Sequence, residues 1–225
     1  PLARVLDLGA GQAIAELHRE HGVEVRLGVG VKTLVGTSGR VAGVELADGS
    51  AIDADVVVVG IGVVPNTGWL DGSGLTIDDG VVCDATCLAG PGVVAAGDVT
   101  RWPNVRFGDT LSRVEQWDNA VAQGSYAATR LLAWLEGSEV EPFAPVPWFW
   151  SDQYDRKIQL AGLPRGQAEV VHGSLDERRF IQLYGQGDEF FGALAWNRPR
   201  HAIMARQLLE RGGSMDEARA ELGDS

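Results

Sequence analysis

The sequence predicts an α/β protein, with three-layer sheet-and-helix structure over the first 141 residues and a small α+β C-terminal domain after them. Three observations carry this. Val56-Val57-Val58-Val59 and Val93-Val94-Ala95-Ala96 are continuous apolar runs, the pattern of parallel strands covered on both faces, and each ends at a glycine. Pro142, Pro145 and Pro147 punctuate a short extended connector that marks a domain boundary. Beyond it several β-rich runs precede a helix, the order of an α+β unit.

Taken in order, Ala13, Ile14 and Leu17 alternate with Glu16, His18, Arg19 and Glu20 at helical spacing between Gly11 and His21, and Gly22 is placed to end that helix. Residues 23–35 are β-rich. Val41 to Leu46 alternates into Asp48-Gly49, a hairpin turn whose glycine accepts positive φ. The run at 56–59 is expected as a buried parallel strand, and Gly60-Ile61-Gly62 halts it at the sheet edge where open α/β folds bind ligands. Val81-Val82-Cys83 and the run at 93–96 repeat the pattern, closing on Gly97-Asp98. Residues 112–136 form the clearest helix, with Val114, Trp117, Val121, Ala128, Leu131 and Leu135 on a common spacing, Ser112-x-x-Glu115 as a capping box, and Gly137 as the stop. After the connector, strands are expected at 158–161, 168–171, 179–184 and 190–196, and a helix over about 200–210.

A formal charge of −12 argues against nucleic-acid binding, which needs a basic surface. The charge is uneven: residues 1–141 carry 9 Lys+Arg against 19 Asp+Glu, residues 142–225 carry 10 against 12, so an acidic partner is expected on the tail. Cys83 and Cys87 have no further cysteine to complete a zinc site or disulfide framework and are read as plain thiols, with no metal site. With no secretory leader and no membrane-length apolar run, the expectation is a cytoplasmic protein that binds no membrane.

Two glycine motifs compete for the chemistry. Val5-Leu6-Asp7-Leu8-Gly9-Ala10-Gly11 looks like the first strand and loop of an S-adenosylmethionine-dependent methyltransferase, but Ala13 stands where a third glycine is usual and Val23-Glu24-Val25 leads to no carboxylate at its end. At Gly97-Asp98 a glycine lets the backbone approach a bound chain, and the aspartate beside it offers two acceptors to a polyol. A simple Gly-Asp turn would give the same dipeptide.

The flanks decide between them. Gly92-Val93-Val94-Ala95-Ala96-Gly97-Asp98, then Val114-Glu115-Gln116-Trp117-Asp118-Asn119-Ala120 and Gln123-Gly124, resemble the second flavin motif of the FAD-dependent pyridine-nucleotide oxidoreductases. Val146-Pro147-Trp148-Phe149-Trp150-Ser151-Asp152-Gln153-Tyr154 resembles the opening of the C-terminal domain in the ferredoxin reductases of oxygenase systems. This resemblance implies two partial Rossmann-like nucleotide-binding domains: the second half of an NAD(P)-binding domain at 1–64 and the returning segment of an FAD-binding domain at 65–141. A C-terminal reductase domain would follow at 142–225. It implies FAD and NAD(P)H as cofactors, Asp98 on the ribityl chain beside Gly97, the backbone of Gln116 and Trp117 at the flavin pyrimidine, and Gly60, Ile61 and Gly62 where the nicotinamide approaches. Electrons would pass to an iron-sulfur ferredoxin, with Arg198, Arg200 and Arg206 as candidate basic contacts, and no side-chain acid, base or nucleophile is called for. Both phosphate-binding glycine loops of that family would precede Pro1, so the chain is expected to be the C-terminal portion of a longer enzyme, inactive by itself. Monomer and homodimer both stay open. The rival from another class is a non-catalytic interaction module that docks through its aromatic tail.

Overall fold

The structure, a computed structural model, describes residues 6–223. The chain divides into two compact units, one of Leu8–Val63 and one running from Val64 onward together with residues 6 and 7. Each is described by itself.

In the first unit, helix α1 spans Leu8–Glu20 and buries Ala13, Ile14 and Leu17, the positions that the sequence spacing selects. It ends as predicted. Gly22 takes a φ of 81°, its N–H donates to the Arg19 carbonyl at 3.0 Å, and the Val23 N–H reaches back to His18 at 3.0 Å. Strands β1 (Val31–Thr37), β2 (Arg40–Leu46) and β3 (Ala51–Asp53) follow as an antiparallel meander in the order β1-β2-β3. The turn at Asp48-Gly49 forms with Gly49 at a φ of 86°. The Ser50 hydroxyl and amide donate to the Asp48 carboxylate at 2.7 and 2.9 Å and hold its pKa below the ordinary value.

Two expectations fail in this unit. Residues 23–30 form no strand, and Val56 to Val59 is neither a strand nor buried, Val58 being 90% exposed. An apolar run states a demand for burial, but a parallel strand exists only where neighbouring strands supply hydrogen bonds and helices cover its faces. Among the described residues no strand pairs with this run.

The second unit opens with short strands: β4 (Val81–Val82), β5 (Leu88–Gly90), β6 (Val93–Val94), β7 (Thr100–Pro103) and β8 (Leu111–Ser112). They form a sheet ordered β4-β7-β8 and a separate ribbon β5-β6; β4 with β7 is the one parallel pair among the described residues. The run at 93–96 is therefore not a buried parallel strand. Val93 and Val94 pair antiparallel with β5, and Val93 is exposed.

Helix α2 covers Trp117–Glu136 and ends where Gly137 turns left-handed at a φ of 69°. Its start differs from the prediction. Ser112 lies in β8, paired with Trp102, and the chain stays extended through Gln116 at φ −137°, so the Ser112-x-x-Glu115 capping box does not form. Strand pairing claimed the residue that the local motif wanted.

The proline connector is extended but not loose. Trp102, Asn104 and Arg106 donate from one short segment to three successive carbonyls: Trp102 Nε1 to Phe143 at 3.1 Å, Arg106 Nε to Ala144 at 3.0 Å and Asn104 Nδ2 to Pro145 at 2.9 Å. The Phe143 and Val146 side chains are buried. Phe143 packs with Trp102, Val81, Cys83, Cys87 and Val114 in one cluster.

Beyond the connector the four expected strands form, as β10 (Arg156–Gly162), β11 (Gln167–Ser174), β12 (Arg179–Gln186) and β13 (Glu189–Trp196), and an unforeseen strand, β9 (Trp148–Gln153), joins them in an antiparallel sheet ordered β11-β12-β13-β10-β9. Ala161, Ile181, Leu183, Ala193 and Ala195 present one face to α3 (Pro199–Glu210) and α4 (Met215–Gly223), which bury Ala202, Ala205, Leu208, Ala218 and Leu222 against it. Each fully buried leucine contributes about 1.5–3 kcal/mol. Helix α4 was not foreseen, although Ser214-x-x-Glu217 signals it: the Ser214 N–H donates to Glu217 Oε2 at 2.8 Å and the Glu217 N–H to Ser214 Oγ at 3.3 Å. No helix among the described residues is long and apolar enough to cross a membrane.

Candidate functional site

In the second unit Gly97 is the residue around which the predicted site assembles. It is buried with a φ of 79°, a conformation that strains any residue bearing a Cβ. It also lies against α2: a Cβ built there would stand 3.5 Å, an ordinary contact, from the Ala120 Cβ in the first turn of the helix. The turn is closed by the Thr100 N–H on the Gly97 carbonyl at 2.9 Å. Gln123, wholly buried one helical turn further on, accepts the Gly97 N–H on Oε1 at 2.8 Å.

Asp98 follows on the exposed side of this turn. Its carbonyl accepts from Arg113 Nη1 at 3.1 Å, while its carboxylate faces solvent without a hydrogen bond among the described residues. The start of α2 lies in the same region. The first intrahelical bond runs from the Ala120 N–H to the Gln116 carbonyl at 3.0 Å, so the N–H groups of Trp117, Asp118 and Asn119 precede it and carry the positive end of the helix dipole. Gln116 Oε1 and Asn119 Oδ1 are buried without a hydrogen-bond partner. Such orphaned acceptors are costly unless something donates to them.

Trp117 is 72% exposed and meets Trp150 of β9 edge to face at 6.2 Å. Behind them Arg206 lies over the Trp148 ring at 5.4 Å and pairs with Asp118 at 3.6 Å and Glu210 at 3.2 Å. Arg206 thus ties the start of α2 to α3. Arg200 is exposed, and Arg198 is half-buried with Nε lacking a hydrogen bond.

Gly97, Asp98, Gln116 and Trp117 therefore fall in one unit around the start of α2. Gly60, Ile61 and Gly62 belong to the first unit, in an exposed segment without regular structure, where Gly62 takes a φ of 104°. Arg113 and Ala120 were missed by sequence reasoning. The charge of Arg113 carried no periodic signal, and the role of Ala120 depends on what approaches it.

The two thiols are buried and free. Burial, with the neighbouring Cys87, pushes the Cys83 thiol up to about 12, and burial pushes Cys87 up to about 11 against the opposing pull of the Gln123 hydrogen bond. Neither is a reactive thiolate near neutrality. The rival glycine motif dissolves: Gly9 and Gly11 lie inside α1, leaving no loop to carry a methionine tail. Asp7 beside them accepts from Gln182 Nε2 and from the Tyr184 hydroxyl at 3.0 Å, and burial together with that carboxylate pushes the Tyr184 pKa far up. Val5, the start of that motif, lies outside the described residues.

A protein-family model described as pyridine nucleotide-disulphide oxidoreductase matches residues 1–124, and one described as reductase C-terminal matches residues 148–224. The chain belongs to the pyridine nucleotide-disulphide oxidoreductases. It is 41% identical over 212 residues to rhodocoxin reductase of Rhodococcus erythropolis, covering 93% of this chain and 48% of that protein. The crystal structure of the ferredoxin reductase for the CYP199A2 system from Rhodopseudomonas palustris matches with a TM-score of 0.87 at 32% identity, over 99% of this chain and 54% of that one. The covalent putidaredoxin reductase–putidaredoxin complex matches with a TM-score of 0.84 at 32% identity, over 94% of this chain and 50% of that one. The chain spans about half the length of the curated relatives it matches.

Proposed function

We propose that the chain is part of an FAD-dependent NAD(P)H:ferredoxin oxidoreductase that passes electrons to an iron-sulfur ferredoxin serving an oxygenase. The carrying observation is the buried, positive-φ Gly97 seated against Ala120, which holds the free Asp98 carboxylate and the start of α2 in one unit. These residues fit FAD. Asp98 would accept from ribityl hydroxyls, the N–H groups at Trp117 would favour negative charge at the pyrimidine, and the orphaned Gln116 Oε1 would take a donor. When bound, FAD supplies the conversion of hydride acceptance into single-electron release, while the protein supplies placement and electrostatics.

On this reading residues 1–64 belong to an NAD(P)-binding domain, with Gly60, Ile61 and Gly62 where the nicotinamide approaches. Residues 65–141 return to the FAD-binding domain, and 142–225 form a C-terminal domain whose exposed Trp150 borders the flavin pocket together with Trp117 of α2. The relatives' names, and the solved complex of one reductase with its redoxin, support a ferredoxin partner. The test uses the full-length protein: NADH added without oxygen is expected to bleach the flavin absorbance, and Asp98→Ala to raise the FAD dissociation constant at least tenfold. A full-length protein that carries no flavin and shows no bleaching would instead be a docking module.

A further inference from the structure

We infer that Gln123 and Arg113 are positioning residues for Asp98, a two-sided clamp on the Gly97–Asp98 backbone; the inference rests on the reading of Asp98 as the flavin-facing carboxylate. Gln123 grips one end. Its Oε1 accepts the Gly97 N–H at 2.8 Å and its Nε2 donates to the Cys87 Sγ at 3.4 Å, so both ends of a fully buried amide are engaged. A leucine would fill the same space without burying an amide, so what the glutamine adds is its hold on a backbone group. The Gly97 N–H, which can only donate, fixes the amide oxygen toward it and leaves Nε2 for the Cys87 sulfur.

Arg113 grips the other end. Nη1 donates to the Asp98 carbonyl at 3.1 Å and pairs with Glu115 at 2.7 Å, while Nε and Nη2 reach the Asp79 carboxylate at 3.3 and 3.4 Å. Two carboxylates thus hold a guanidinium whose side chain is only 11% exposed. Gly80 permits this approach: a Cβ there would lie 2.9 Å from Arg113 Cδ and 2.7 Å from the Val99 carbonyl oxygen. Both grips come from residues 113–123, the segment that also carries Gln116 and Trp117. The clamp therefore sets the Asp98 carboxylate relative to the N–H donors at the start of α2, without either residue touching the ligand.

The test measures FAD dissociation constants and the flavin absorbance spectrum in full-length wild type and in Gln123→Leu, Gln123→Glu, Arg113→Met and Arg113→Lys. Gln123→Leu and Arg113→Met are expected to raise the dissociation constant at least tenfold and to blur the structure of the visible flavin band. Gln123→Glu, which keeps an oxygen toward the Gly97 N–H, is expected to return affinity to within about threefold of wild type. Arg113→Lys, which cannot span the carbonyl and both carboxylates, is expected to recover only part. The clamp is overturned if Gln123→Leu and Arg113→Met bind FAD within twofold of wild type, or if Gln123→Glu loses as much as Gln123→Leu. A full-length wild type that retains no FAD would instead sink the flavin reading itself, before any variant is compared.

Discussion

The indole N–H of Trp102 donates to the carbonyl of Phe143 at 3.1 Å, and the two rings lie 5.7 Å apart with planes inclined at 42°. One fully buried tryptophan thus fastens both the backbone and the side chain of a proline-rich segment that composition alone reads as a linker. Trp102→Phe leaves the Phe143 carbonyl without its donor and opens a void, and should destabilise the unit by about 2–4 kcal/mol. Phe143→Leu keeps the carbonyl bonded and should cost less, about 1–2 kcal/mol. Urea denaturation followed by tryptophan fluorescence ranks the two; an equal cost would show that the hydrogen bond contributes little.

Arg106 extends the same fastening across the chain. Besides the Ala144 carbonyl it donates to Leu209 at 2.8 Å and Glu210 at 3.1 Å, capping the last turn of α3. Arg106→Met should release the connector locally, since a segment's protection follows the bonds that hold it. Brief thermolysin digestion read by mass spectrometry is expected to cut within residues 141–147 several-fold faster than in wild type. Equal cutting rates would mean that Trp102 and Asn104 suffice.

At Gly97 the obstacle to a side chain is conformational more than steric, because the nearest atom would be an ordinary contact away. Gly97→Ala should therefore cost about 1–2 kcal/mol, the penalty for a Cβ in the left-handed region. A melting point unchanged by the substitution would show that the turn relaxes freely.

The buried thiols make a pH prediction. Folded-state values pushed from 9.0 to about 12 for Cys83 and about 11 for Cys87 mean that the folded protein holds these protons more tightly than the unfolded chain does. That stabilisation is complete below pH 9.0 and is lost as pH rises through about 11 and then 12. Neither cysteine should react with a thiol reagent in the native protein at neutral pH, both should react after unfolding, and stability should fall as pH climbs above 9.0. Rapid native labelling of Cys87 would contradict its burial.

The C-terminal sheet was the most legible part of the fold. The β-rich composition of residues 179–184 and 190–196 is a local property, and antiparallel neighbours joined by short turns lie close in sequence, so composition and pairing agree. The ends of α1 and α2 were equally readable, because Gly22 and Gly137 answer a local conformational demand. The runs at 56–59 and 93–96 were misread for the opposite reason. Their composition asks for burial, but whether a strand forms depends on neighbours that local sequence does not name.

The candidate site divides along the same line. By itself the sequence named the candidates, a Gly-Asp pair suited to a bound polyol and, through the family resemblance, Gln116 and Trp117, while it began the helix too early, at Ser112. Only the tertiary structure decided how they are held. The grip of Gln123 on Gly97 spans 26 residues, that of Arg113 on Asp98 spans 15, and Trp102 reaches 41 residues to the connector. A buried polar group must find a partner wherever the fold brings one, and no spacing along the chain encodes which one it will be.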